Sequence, residues 1–185
     1  MVAYGFANNS MVKQITTAEQ KAASEVANKV AFYMRERFGD IQIMSKLTIL
    51  TNSQLRGTTS VKDKQAALDS FIKAYGIYDS VALADLQGNV VAQSTGKTLP
   101  NSRNRSYFQA ALKADGPTLS QPMLSEGSDV LAVYLASPVK DQATGKTIGV
   151  MQARLPVKYL RDVILAVDQE ENYLLDNQGQ IFCCF

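Results

Sequence analysis

The chain has 185 residues, enough for one or two compact domains, and its 46% apolar and 19% charged residues are a globular mix far from the signature of disorder. Its net charge is +2, with Lys and Arg scattered among Asp and Glu, so no electrostatic footprint for nucleic acid or an anionic membrane surface stands out. Histidine is absent, which removes the commonest metal ligand and the commonest general base, so most enzyme templates fail and no cofactor is expected.

Met1 to Ser10 lacks the basic start and apolar run of a signal peptide, and no run of about 18 apolar residues occurs anywhere. Thr16 and Glu19 have capping-box spacing, so a helix is predicted from Thr16. Val26, Val30, Tyr33, Met34, Phe38, Ile41, Met44, Leu47 and Leu50 recur at steps of three and four, giving one apolar stripe. Such a helix spans about 50 Å at about 1.5 Å per residue, more than one small domain needs. Gly39 predicts a kink near Arg37 to Asp40. Asn52 to Thr59 reads as a polar loop, and Ser60 to Tyr75 as a second helix with Leu68, Phe71, Ile72 and Tyr75 on one face, ended by Gly76.

Ser80 to Asp85 and Val90 to Ser94 then form a hairpin signal around Leu86-Gln87-Gly88-Asn89. Thr95 to Asn104 is a loop, and Arg105 to Ala114 a short helix with Phe108, Ala111 and Leu112 inward. Three more strands are predicted at Thr118 to Met123, Val130 to Val139 and Thr147 to Leu155, antiparallel because their connections are short. Val130 to Val139 is apolar almost throughout, as in a strand covered on both faces, with the long helix as one cover. Pro156 suits a first helical position, and Leu160, Val163, Ile164 and Val167 give a last amphipathic helix.

Asp85-Leu86-Gln87-Gly88-Asn89-Val90 is echoed by Asp176-Asn177-Gln178-Gly179-Gln180-Ile181, each after an apolar strand. A recurrent glycine turn or a tandem repeat explains the echo; on the second reading a further sheet module begins here and Ile181 to Phe185 is an orphan strand. The only cysteines, the neighbours Cys183 and Cys184, cannot make a disulfide framework or a four-ligand zinc site by themselves.

Several segments in this order resemble the double Cache sensor domains of bacterial chemoreceptors and sensor kinases. They are the long leading helix, Ser80-Val81-Ala82-Leu83-Ala84-Asp85-Leu86-Gln87-Gly88-Asn89-Val90-Val91-Ala92, Arg103-Asn104-Arg105-Ser106-Tyr107-Phe108-Gln109-Ala110-Ala111, Ala136-Ser137-Pro138-Val139 and Gly145-Lys146-Thr147-Ile148-Gly149-Val150. Ala153-Arg154-Leu155-Pro156-Val157-Lys158-Tyr159-Leu160 resembles cyanobacterial chemoreceptor-like proteins in particular. The resemblance implies an α+β fold, a long N-terminal helix on a PAS-like antiparallel sheet of about five strands, with Asn101 to Ala114 closing the other face. It implies a helical segment at 1–52, a membrane-distal sensor module at 53–168 and the truncated start of a membrane-proximal module at 169–185. It also implies an extracytoplasmic, periplasmic module of an inner-membrane receptor, with a membrane engaged only through transmembrane segments absent from this chain.

In that family, amino-acid binders carry an arginine and aromatic residues at the entrance of the short helix, where Arg105, Tyr107 and Phe108 fall here. A guanidinium can pair bidentately with a ligand carboxylate while a ring covers its apolar part. The alternative for Arg105 is a solvated helix-start residue, and for Phe108 core packing. The family's aromatic position holds Met123 and its ammonium-binding aspartate position holds Arg154, which repels an ammonium group and attracts an anion, or else is a solvated strand-end charge. Arg103 is a second candidate anion contact, and Tyr134 fits either a pocket or a core hydrogen bond. Glu170, Glu171, Asp162 and Asp168 read as a solvated face, and Ser94-Thr95-Gly96-Lys97 lacks the glycine of a phosphate loop.

The expected function is therefore a sensor binding a small organic anion, with no enzymatic activity and with homodimerisation through the long helix as a further expectation. The alternative is a ligand-free structural or dimerisation module. Convergence of Arg105, Tyr107, Tyr134 and Arg154 on one cavity of about 300 Å³ or more favours the sensor, and a filled core the scaffold.

Overall fold

The computed structural model describes residues 2–125, 128–165 and 173–184. Helix α1, Val2–Ser45, runs for 44 residues. It starts well before Thr16: no proline interrupts the preceding residues, and the Thr16 to Glu19 spacing is internal to the helix. Gly39 does not interrupt it: the position is solvent-facing, with nothing within 4 Å of where a Cβ would lie, and the stripe on the opposite side holds the helix against the sheet. Val26, Met34, Ile41 and Met44 are buried, with Val30, Tyr33 and Phe38 packed at the edge of the same core.

The stripe does not continue in one helix to Leu50. After Ser45 the chain turns into α2, Thr48–Thr51, which buries Leu50. Asn52 then caps α3, Ser53–Thr58, its side chain accepting from the Gln54 and Leu55 amides at 3.0 and 3.1 Å. The segment read as a polar loop is thus a short exposed helix, and its Asn is the start signal. Helix α4, Val61–Tyr75, is framed as expected: Ser60 accepts from the Asp63 amide at 3.1 Å, and Gly76 closes it at φ 67°.

The sheet comprises β1 (Ser80–Asp85), β2 (Val90–Gln93), β3 (Thr118–Leu119), β4 (Met123–Ser125), β5 (Ser128–Lys140) and β6 (Thr147–Pro156), with α5 (Ser106–Lys113) between β2 and β3. The order is β2-β1-β6-β5-β3, β4 also pairs with β5, and every pairing is antiparallel. The sheet therefore has six strands in place of about five. The single strand predicted over Thr118 to Met123 is divided, because the Ser120 hydroxyl accepts from the Tyr134 amide at 2.9 Å and Pro122 has no amide to donate.

Alternation in β5 and β6 builds two cores. Val133, Leu135, Val139, Met151, Ala153 and Leu155 meet α1 on one face, while Ala136 and Val150 meet Tyr107, Phe108 and Ala111 of α5 on the other. The central strands are covered on both sides, as the apolar run over Val130 to Val139 predicts. Helix α6, Val157–Leu165, follows β6 directly and buries Val157, Leu160 and Ile164; Val167 lies outside the described residues.

Strands β7 (Tyr173–Leu175) and β8 (Ile181–Cys184) form a separate antiparallel pair, so residues 181 to 184 are not an orphan strand. Leu174 and Phe182 pack against the larger core, whereas Tyr173, Leu175 and Ile181 are exposed. The echo is geometric as well as textual. In both turns the aspartate amide donates to the carbonyl four residues on at 2.9 Å, and its carboxylate takes two amides. Gly88 and Gly179 have φ 81° and 77°.

Candidate functional site

Cross-strand register builds the floor of a cavity on the α5 face. Ser80, Arg154 and Tyr134 are direct neighbours on β1, β6 and β5, and Ala82, Gln152 and Ala136 form the next row. The roof comes from the segment entering α5. Ser102 donates to Gln152 Oε1 at 3.0 Å, and Arg105 occupies the N-cap position, which places its side chain and that of Tyr107 at the cavity. Tyr107 stacks on Tyr134 with ring centroids 4.5 Å apart and planes 3° from parallel.

The β1–β2 turn fixes this roof. The Ser102 amide donates to the Gly88 carbonyl at 2.8 Å, and the Asn101 side-chain amide to the Asn89 side-chain oxygen at 2.8 Å. A Cβ at Gly88 would lie 2.8 Å from the Arg103 Cα, so this contact requires glycine for space as well as for φ.

Arg154 is held on two sides. Its Nε and Nη2 donate to the two carboxylate oxygens of Asp79 at 2.6 and 2.8 Å, and its Nη1 donates to Ser125 Oγ. The Tyr134 hydroxyl donates to the same Ser125 oxygen at 3.2 Å. Burial opposes the charge on Arg154, but the hydrogen bonds and charge of Asp79 outweigh it and hold the guanidinium pKa above its ordinary value.

Arg105, Tyr107, Met123, Tyr134 and Arg154 thus come together around one cavity, although they arise from four separate stretches of chain. Arg103 and Phe108 do not. Arg103 is exposed beyond the roof, with its amide and carbonyl tied to Asn101 and Gln109. Phe108 is fully buried in the smaller core, because one step along a helix turns a side chain about 100° away from Tyr107. Arg154 is not a solvated strand-end charge: its side chain is mostly buried and Asp79 occupies two of its donors.

Sequence reading missed Asp79, Ser102, Ser125 and Gln152. Asp79 lies 75 residues from Arg154 and carries no local signal; only the pairing of β1 with β6 brings them together. Ser102 and Gln152 are buried polar residues whose partner is each other, which no single segment reveals.

The cavity is small, about 30 Å³, with a second space of about 100 Å³ beyond Ser80, Leu99, Pro100 and Arg154. It falls well short of the expected 300 Å³, and Leu99, Pro100 and the largely exposed Leu124 line it beside the polar residues. The Ser94 to Lys97 loop beside the second space has a structural anchor: Asp69 accepts from the Thr95 amide and hydroxyl at 2.6 and 2.7 Å. Asp162 is exposed as expected, while Asp168, Glu170 and Glu171 lie outside the described residues. Among the described residues no group of three or more Cys, Asp or Glu gathers as a metal site, and no helix is long and apolar enough to cross a membrane.

The sequence profile of the Cache domain matches residues 7–183. The fold is similar to that of the sensory domain of the Campylobacter jejuni chemoreceptor Tlp3 with isoleucine bound, at TM-score 0.75 and 13% identity over 95% of this chain and 73% of that one. It is similar to the ligand-binding domain of the Pseudomonas fluorescens chemoreceptor CtaA in complex with L-serine, at TM-score 0.66 and 17% identity over 85% and 66%. The same holds for the ligand-binding domain of the Pseudomonas aeruginosa amino acid chemoreceptor PctC in complex with GABA, at TM-score 0.66 and 17% identity over 87% and 72%. A search of curated protein sequences finds no significant match. The profile match over nearly the whole length agrees with the long helix, the antiparallel sheet and the α5-side cavity, and the chain belongs to the Cache domain family.

Proposed function

We propose that this Cache domain is the extracytoplasmic ligand-sensing part of a transmembrane receptor, taking a small organic anion in the cavity between α5 and the sheet. The observation that carries the reading is the convergence of Arg105, Tyr107, Met123, Tyr134 and Arg154 on that cavity. Arg105 offers a fork for a carboxylate, and the stacked tyrosines offer an apolar wall with polar tips. The similarity to chemoreceptor ligand-binding domains supports a sensing role outside the cytoplasm and a non-catalytic one. The β7–β8 hairpin, with the same turn geometry as β1–β2, opens a second module in this reading, following a sensor module at 53–168. Exposed Phe32 and Ile43 on α1 supply the apolar surface for a homodimer.

Ligand binding requires the cavity to widen by outward movement of Leu99, Pro100 and Leu124, since about 30 Å³ holds no more than two or three waters. The small volume is what favours the second reading, a ligand-free scaffold whose working surface is α1. A thermal-shift screen of carboxylates, amino acids and purines separates them. A bound ligand at about a hundred times its dissociation constant stabilises the fold by about 2.7 kcal/mol. A carboxylate hit that Arg105→Ala abolishes supports the sensor; no hit in any class, or hits indifferent to Arg105→Ala, rejects the anion site.

A further inference from the structure

We propose that Gln152 reads the group beside the ligand's carboxylate, selecting small anions that carry an uncharged oxygen acceptor there, the 2-oxo and 2-hydroxy acids. The inference rests on the reading of the cavity as an anion site and names the second group the anion must carry. Gln152 lines the cavity from the middle of β6 and is only 5% exposed. Its direct neighbours on β1 and β5 are Ala82 and Ala136, so it is the one long side chain of the three.

A side-chain amide has one acceptor oxygen and two N–H donors. The hydroxyl of Ser102, itself buried, donates to the Gln152 oxygen at 3.0 Å, which leaves the nitrogen as the end presented to the cavity. Among the described residues nothing accepts a hydrogen bond from that nitrogen. A buried amide donor without an acceptor is unfavourable, and the flanking alanines show that packing at this row calls for no polar side chain. A ligand oxygen supplies the missing acceptor. With the carboxylate at the arginine end of the cavity, Gln152, one row inward from Arg154 along β6, meets the atoms next to it. A carbonyl or hydroxyl oxygen there accepts from the amide. A methylene leaves the amide unpaired, and an ammonium group sets its own donors against it. A site built around a buried donor rejects the analogue that lacks the acceptor more sharply than apolar contact can.

The experiment compares pyruvate, propionate and L-alanine at matched ionic strength by isothermal titration calorimetry, on the 185-residue chain and on Gln152→Met and Gln152→Ala. One substitution keeps the side-chain length and the other shortens it, so loss of fold in either leaves the other, and circular dichroism verifies each protein. We expect pyruvate to bind the wild-type chain roughly fivefold or more tighter than propionate, L-alanine no tighter than propionate, and the preference for pyruvate to shrink below about twofold in the variants. Pyruvate binding no tighter than propionate, L-alanine binding as tightly as pyruvate, or a preference that survives in a folded Gln152 variant overturns the proposal while leaving the anion site standing. Binding of none of the three to the wild-type chain overturns both the anion site and the role of Gln152.

Discussion

Tyr78 and Asp79 are consecutive in the chain and reach opposite layers of the domain. Tyr78 donates its hydroxyl to Asp40 of α1 at 2.8 Å, and Asp79 accepts both donors of Arg154 in the cavity. Two adjacent peptide units therefore tie the cavity to the long helix. Around Asp40 the network extends along α1: Arg37 Nε lies 2.8 Å from the Asp40 carboxylate, and the Arg37 guanidinium sits 4.6 Å over the Tyr33 ring.

Removing the Tyr78 hydroxyl leaves the buried Asp40 carboxylate short of a donor. Tyr78→Phe is expected to lower the unfolding free energy by roughly 1–3 kcal/mol. Burial and the neighbouring Asp40 also push the Tyr78 phenol far above its ordinary pKa, so it stays protonated. Urea denaturation of both proteins at neutral pH measures the difference; equal midpoints and slopes contradict it.

Acid stability should depend on the turn aspartates. At Asp85 burial is the largest single influence and raises the pKa, but the side-chain and backbone hydrogen bonds from Asn89, Gln87 and Gly88 together prevail and lower it; at Asp141 the Thr144 amide is the main cause of a lowered value. A carboxylate with a folded pKa below its unfolded value, about 3.9, contributes stability above that pH and loses it as the pH falls through the folded pKa. Stability should therefore fall on acidification below about pH 4, and Asp141→Asn should flatten that fall. Denaturation midpoints between pH 6 and pH 2.5 provide the test.

Gly88 and Gly145 both have positive φ, 81° and 68°, but only Gly88 is crowded, by the Arg103 backbone and Asn101. Gly145→Ala should cost about 1 kcal/mol from backbone strain alone, and Gly88→Ala distinctly more. Thermal denaturation ranks them; an equal or reversed order would show that the roof segment yields without resistance.

Phe108 belongs to the core, so Phe108→Ala should destabilise by about 3–5 kcal/mol while Phe108→Leu is far milder. In a ligand titration, Phe108→Leu should leave affinity nearly unchanged, whereas a cavity residue such as Tyr107 changed to Leu should weaken it. A large affinity loss in Phe108→Leu at intact stability would return Phe108 to the site.

The sequence by itself determined the elements whose causes are local. The stripe from Val26 to Met44, the Ser60 and Gly76 ends of α4, the glycine turns and the doubly covered strand around Val133 and Leu135 are all written in spacing and turn chemistry. Arg105, Tyr107, Met123 and Arg154 were legible as candidates through their place in a family pattern, and Tyr134 through its hydroxyl on an apolar strand. Tertiary structure decided the rest. Whether Phe108 or Tyr107 faced the cavity depended on the docking angle of α5, and the break of β3 from β4 on the Ser120 hydroxyl together with Pro122. The state of Arg154 depended on Asp79, because strand register brings Ser80 opposite Arg154 and so carries a distant carboxylate to the guanidinium. Cavity size was decided there too, since it is the residual space between the sheet and the segment entering α5, a small difference between large volumes that no local pattern encodes.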